Sequence, residues 1–271
     1  MGVRQLSAAD RATNFYSNEY VEFTLAIGCP VNCQKYCPQE VLLRNYGRNE
    51  RLMSLPNFKK ILIHIPKNVM IDFSGFCEPC VNPSFTEMAK YAQQEGYRIH
   101  VATTLQGASN RTVKDLLDLT YEGFVLHLPD GKNTNFQLTS EYKENIFCIM
   151  QGIPNVQYIT MNDLFVSNER ENLCRGILPK PRKVGFCRKT ATPQLVVMPD
   201  GRVQTCDMDF KLECTVGNLL EDDYATVVKR FRDRQSSLEL CHYCKKYYPL
   251  DRFLIYTVAS KLGYFNKSKW M

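Results

Sequence analysis

No run of about 18 apolar residues occurs anywhere in the chain, so no membrane-spanning helix is expected. Met1 to Asn18 is polar and carries no apolar core of the signal-peptide kind. Internal repeats and low-complexity linkers are also missing. Charge of one sign is in short supply. The net +6 is mild and spread along the chain, which suits an anionic substrate but does not point to nucleic acid. Cysteine is the exception to this scarcity: twelve in 271 residues, yet not spaced like a small secreted disulfide scaffold. These absences favour a reducing cytoplasm and thiols meant for metal. The length allows one large domain and a smaller one.

Three of the cysteines lie together. Cys29, Cys33 and Cys37 have three residues between each pair and follow an apolar run, Tyr20 to Gly28, that reads as a strand. Soft thiolates suit zinc or an iron–sulfur cluster. A structural zinc site is normally closed by a fourth ligand, and no histidine or cysteine follows within the next turn. A 4Fe–4S cluster with three protein ligands would instead keep one iron open. An inert loop is the plainer alternative.

Strand and helix signals alternate along the chain, the pattern of a parallel α/β fold. Strands are expected at Tyr20–Gly28, Val69–Ser74, Arg98–Thr104, Gly123–Leu128 and Val156–Asn162, with a sixth at Lys183–Phe186. Helices are expected at Gln39–Tyr46, Leu55–Ile65, Arg111–Tyr121 and Ser140–Met150. Ser54 opens the second of these, with Pro56 in its first turn. Ser84 and Glu87 read as a capping box for a further helix, which ends at Gly96. Five or six units are too few for an eight-fold barrel.

Composition changes after Leu178. A basic, proline-broken connector, Pro179 to Lys183, leads to a hairpin whose arms, Gln194–Met198 and Arg202–Thr205, flank Pro199-Asp200-Gly201. Cys187 and Cys206 bracket it, and Cys241-His-Tyr-Cys244 follows an expected helix, Tyr224–Arg234. These four thiols can close a site for zinc or an iron–sulfur cluster.

The first cysteine loop resembles that of the radical S-adenosylmethionine (SAM) enzymes, where an aromatic residue precedes the third cysteine, as Tyr36 does here. Their usual spacing is three residues and then two; this chain has one residue more, and Gln34 or Lys35 is expected to bulge outward. Asp72-Phe-Ser-Gly-Phe-Cys-Glu-Pro79 is similar to the family's Gly-Glu motif at the end of the second strand. The resemblance implies an open, partial (β/α)6 TIM-like barrel over residues 1–180. It places a 4Fe–4S cluster on Cys29, Cys33 and Cys37 with SAM on its open iron. Tyr36 would contact adenine, and Gly75, Phe76, Cys77 and Glu78 would line the methionine end. Phe76 and Cys77 stand where the motif often has small residues. Thr103, Thr104 and His127 occupy places where polar groups commonly reach SAM, although His127 also reads as an ordinary strand histidine.

The set Cys187, Gly201, Cys206, Cys241 and Cys244 is similar to the shorter, Twitch form of the SPASM auxiliary-cluster domain. That implies a second 4Fe–4S cluster in a small domain over residues 181–250, with structural zinc as the alternative. Cys77 and Cys80 are candidate hydrogen donors to a substrate radical, against a plain packing role shared with Cys148. Cys174 and Cys214 are assigned no role. The tail, residues 251–271, mixes aromatic and basic residues; docking on its own fold is favoured over contact with a membrane surface.

By layout and size the chain resembles the aminocyclitol dehydrogenases of aminoglycoside biosynthesis. That implies hydrogen abstraction from a sugar, aminocyclitol or related polar metabolite, oxidation of an alcohol to a ketone, and the auxiliary cluster as electron acceptor. A flavodoxin or ferredoxin would serve as reductant. The alternatives are a radical epimerase, a peptide-modifying maturase, or a zinc-binding protein without catalysis.

Overall fold

Residues of alternating character along five short strands decide which face of the sheet the helices cover. A computed structural model describes residues 4–5, 19–31, 33, 37–129, 137–161, 186–187, 189, 193–234, 239–243, 247–248, 254 and 258. Strands β2 (Tyr20–Phe23), β3 (Met70–Phe73), β4 (Ile99–Thr103), β5 (Gly123–Leu128) and β6 (Gln157–Thr160) lie side by side, each parallel to the next. Between them run helices Gln39–Tyr46, Leu55–Leu62, Phe85–Gln94, Asn110–Leu117 and Ser140–Gly152. Val21, Phe23, Ile71, Phe73, Ile99, Val101, Phe124 and Leu126 point to the helix side and form the main core with Phe58, Phe85 and Met88. The opposite, inner face carries buried Glu22, Asp72 and His100 as register neighbours, with Asp72 Oδ1 at 2.7 Å from His100 Nδ1.

The sheet extends at both edges. Short β1 (Arg4–Gln5) pairs parallel with β6. At the other edge β8 (Gln194–Val197) pairs parallel with β2, and β9 (Arg202–Gln204) and β10 (Thr215–Asn218) follow antiparallel. Nine strands thus run in the order β1-β6-β5-β4-β3-β2-β8-β9-β10. The hairpin at Pro199-Asp200-Gly201 forms as expected, with Gly201 at φ +84°. It continues the sheet of β2–β6.

Two local expectations are corrected. The sixth strand, Lys183–Phe186, does not join the parallel sheet at Phe186. Instead β7 (Phe186–Cys187) pairs antiparallel with β11 (Tyr247–Tyr248) in a sheet of its own, while residues 183–185 lie outside the described residues. Ser84 is not part of a capping box. Its backbone, at φ −94° and ψ 8°, is not in the extended region that lets a side chain reach back, and no side-chain cap forms. The side chain of Asn82 serves there, accepting from the Ser84 N–H at 2.9 Å and donating to Leu25 O and Met53 O at 2.8 and 2.9 Å. A reciprocal capping box sits instead at Ser109 and Thr112. Ser54 caps its helix through Asn57 N at 3.2 Å.

The aromatic residues of the core form a chain: Phe58 and Phe23 at 4.9 Å between centroids, Phe58 and Phe73 at 5.8 Å, Phe73 and Phe85 at 5.4 Å. No helix among the described residues is long and apolar enough to cross a membrane. In the tail only Leu254 and Val258 are described, both exposed. Phe73→Ala is expected to cost about 3–5 kcal/mol in urea unfolding. Phe147→Ser, at a residue 59% exposed, should stay within about 0.5 kcal/mol of wild type.

Candidate metal and cofactor site

The cysteine loop starts from a firmly held strand end. Past β2, Thr24 N donates to Val197 O at 2.8 Å, Met53 N to Leu25 O at 3.0 Å and Ile27 N to Arg51 O at 2.8 Å. Gly28, at φ +99°, then turns the chain out of the sheet. Cys33 is buried and Cys29 and Cys37 are half-buried, all three against Val31, Ala102, Val125, Ile159 and Met161. Cys37 N donates to Cys33 O at 3.0 Å. That bond holds the second and third cysteines close together. Tyr36, and Gln34 and Lys35 with their expected bulge, lie outside the described residues.

Facing the loop is the turn Gly75–Glu78. Gly75 has φ +74°, and a Cβ there would lie 2.2 Å from Thr24 Oγ1 and 2.9 Å from Thr24 Cα, so only glycine fits. Phe76 N donates to Thr24 Oγ1 at 3.1 Å, and the Phe76 ring packs edge-on to Phe210 at 4.6 Å. The buried Cys77 thiol hydrogen-bonds with that of Cys29. This contact, with burial, pushes the Cys77 thiol far up and lowers that of Cys29.

Glu78 is buried, and its carboxylate accepts from Thr104 N at 2.6 Å, Thr104 Oγ1 at 2.7 Å, Cys80 N at 3.1 Å and the Thr103 hydroxyl. Burial raises its pKa, and the Thr103 and Thr104 donors pull it back. Both threonine hydroxyls are therefore committed to Glu78. Cys80 packs in the main core with its sulfur 3.5 Å from Thr103 Oγ1, and burial keeps its thiol protonated well above the ordinary range. His127 is half-buried on β5, on the same strand face as Val125 beside the cysteines.

Gln39 was not singled out by the sequence. It is the first residue of its helix, two positions past Cys37, and only this nearness to the third cysteine hinted at a role. Its Nε2 donates to Cys37 Sγ at 3.1 Å and to Phe76 O at 2.5 Å, and its Oε1 accepts from Cys29 N at 3.4 Å. Thr24 and Asn82 also escaped notice, because their partners lie about 30 to 60 residues away in sequence.

The second set is partly described. Cys187 lies on β7 opposite Tyr247, Cys206 follows β9, and Cys241 sits on a 3-10 turn, Glu239–Tyr243; Cys244 lies outside the described residues. Lys189 Nζ meets Asp207 Oδ1 at 2.8 Å, with Lys189 only 1% exposed. This ion pair joins the segment of Cys187 to that of Cys206.

Among the described residues no three His, Cys, Asp or Glu side chains close around one point as a single metal ion requires. The three loop thiols instead share one apolar wall, a soft donor set suited to an iron–sulfur cluster. The glycine cradle at Gly75 leaves backbone groups of the turn close to that wall.

Glu78→Ala strands four donors and is expected to cost about 3 kcal/mol in urea unfolding. The folded chain keeps the Glu78 proton to higher pH than the unfolded chain does. Its contribution to stability therefore falls as pH rises past the unfolded value of about 4.3. The Glu78→Ala protein should lack that decline when unfolding is followed across pH, and an identical profile in both proteins would remove Glu78 from this role.

No protein-family model and no curated protein matches the chain. Solved structures do. The crystal structure of BtrN in complex with AdoMet and 2-DOIA is similar at TM-score 0.62 and 20% identity, over 84% of this chain and 93% of that one. BtrN in an open conformation follows at TM-score 0.56 and 16% identity, over 84% and 92%. Native anSMEcpe with bound AdoMet is similar at TM-score 0.53 and 12% identity, over 91% and 98%. The chain therefore shares the fold of BtrN and anSMEcpe.

Proposed function

We propose that the chain is a radical SAM oxidoreductase, with a 4Fe–4S cluster on Cys29, Cys33 and Cys37 and SAM against Gly75–Glu78. One observation carries the reading: the three thiols share an apolar wall at the strand ends, and Gln39 bonds the glycine turn to the Cys37 sulfur and the Cys29 backbone. The fold shared with AdoMet-bound structures supports it. When bound, cluster and SAM together supply a 5′-deoxyadenosyl radical able to take hydrogen from an unactivated carbon.

The rest falls to this chain. Gly75 lets the turn approach, Thr24 and Gln39 hold it, and Thr103 and Thr104 orient Glu78. Val125, Ile159 and Met161 keep water from the cysteine wall. Tyr36 and His127 are proposed to contact SAM.

For the reaction we favour oxidation of an alcohol to a ketone on a sugar, aminocyclitol or related polar metabolite, in keeping with the 2-DOIA bound by BtrN. Such an oxidation removes a hydrogen atom, a proton and an electron from the substrate. Cys187, Cys206, Cys241 and Cys244 would hold the auxiliary 4Fe–4S cluster that accepts the electron, with Lys189 and Asp207 fixing two of their segments. A flavodoxin or ferredoxin in the cytoplasm would supply the priming electron. An epimerase is the second reading, favoured by Cys77, whose buried thiol touches Cys29. Cys77→Ala would then stop turnover while leaving the substrate radical detectable.

Iron and sulfide analysis with EPR, on anaerobically reconstituted protein with and without SAM, tests the proposal. The expected content is about eight irons per chain, with part of the spectrum altered by SAM. Serine at Cys29, Cys33 and Cys37 should leave about four irons and abolish the SAM effect. About four irons plus zinc in the wild type would remove the electron acceptor, and no iron would overturn the assignment.

A further inference from the structure

We infer that Gln39 is a positioning residue that couples the cluster to the SAM-holding turn and raises the cluster's reduction potential; this rests on the radical SAM reading above. One amide touches three parts of the site. Its carbonyl holds the backbone of Cys29, the first ligand; its N–H groups hold the sulfur of Cys37, the third ligand, and the carbonyl of Phe76 in the turn. Placement at the first turn of helix Gln39–Tyr46 fixes the side chain's root, since Gln39 N also donates to Cys37 O at 2.9 Å. Pro38 precedes it with no side-chain cap, so the Gln39 amide is not spent on the helix end.

The bond to Cys37 has an electronic consequence. A ligating cysteine is a thiolate, and an N–H aimed at its sulfur stabilises negative charge, which is greatest in the reduced cluster. Partners behind a ligand tune a metal centre in the same way, through orientation and basicity. The bond to Phe76 O has a geometric consequence. It sets the distance between the cysteine loop and the turn, so loss of the amide should loosen both halves together.

Two variants separate the donor from the shape. Gln39→Glu keeps length and the acceptor for Cys29 N–H but cannot donate to Cys37 or Phe76, and Gln39→Leu removes both functions. The measurements are iron content, an EPR-monitored redox titration and SAM binding by equilibrium dialysis. Both variants should titrate at more negative potentials, the Glu variant furthest. At the wild-type midpoint, the ratio of reduced to oxidised cluster in Gln39→Leu should fall about tenfold, and SAM should bind about tenfold more weakly. A purely structural role would lower iron content or thermal stability without moving the midpoint of the cluster that remains. Wild-type iron content with an unchanged midpoint in both variants overturns this inference alone, whereas a wild type that binds no iron overturns the reading beneath it as well.

Discussion

The approach of Gly75 to Thr24 is the constraint on which the site depends. With a would-be Cβ only 2.2 Å from the threonine hydroxyl oxygen, the turn after β3 lies directly on the end of β2. The same hydroxyl accepts the N–H of Phe76, so the contact is bonded as well as tight. Because the cysteine loop leaves from β2 and the Gly75–Glu78 turn leaves from β3, closing these two strand ends brings the loop and the turn face to face. Any side chain at position 75 would push them apart.

Polar groups behind that contact are satisfied one by one, as a buried site requires. Glu78 collects donors from the end of β4 and from its own turn, and Asn82 ties the carbonyls of Leu25 and Met53 to the start of the next helix. Tyr142 reaches across to Thr104 O at 2.8 Å. Most of these bonds run between elements. A parallel sheet pairs its backbone groups within itself, and the loops at its strand ends must find side chains instead.

The two cysteine sets differ in how they are held. The first rests on strand ends in the middle of the sheet, backed by apolar residues of β5 and β6. The second draws on the sheet edge beyond β8, a separate two-stranded pair and a 3-10 turn, joined by the Lys189–Asp207 ion pair. A buried charge pair is costly to break, since removing one partner leaves the other unpaired away from water. It therefore ties the segment of Cys187 to that of Cys206.

Local chemistry alone determined much of this protein. Short apolar runs located the strands, with Gly123–Leu128 placed to the residue, and Pro199-Asp200-Gly201 specified its hairpin through backbone preferences carried within three residues. Tertiary structure decided what depends on distant partners. Nothing near Gln194 says that its strand will lie beside β2, 174 residues earlier in the chain, where Tyr20 OH meets Gln194 Oε1. Ser84 looked like a cap until Asn82, drawn to carbonyls of two other segments, took its place. The partners of Glu78 and the triple bonding of Gln39 likewise exist only once β2, β3 and β4 are aligned, because hydrogen-bond reach is set by folded geometry and leaves no periodic trace in the sequence.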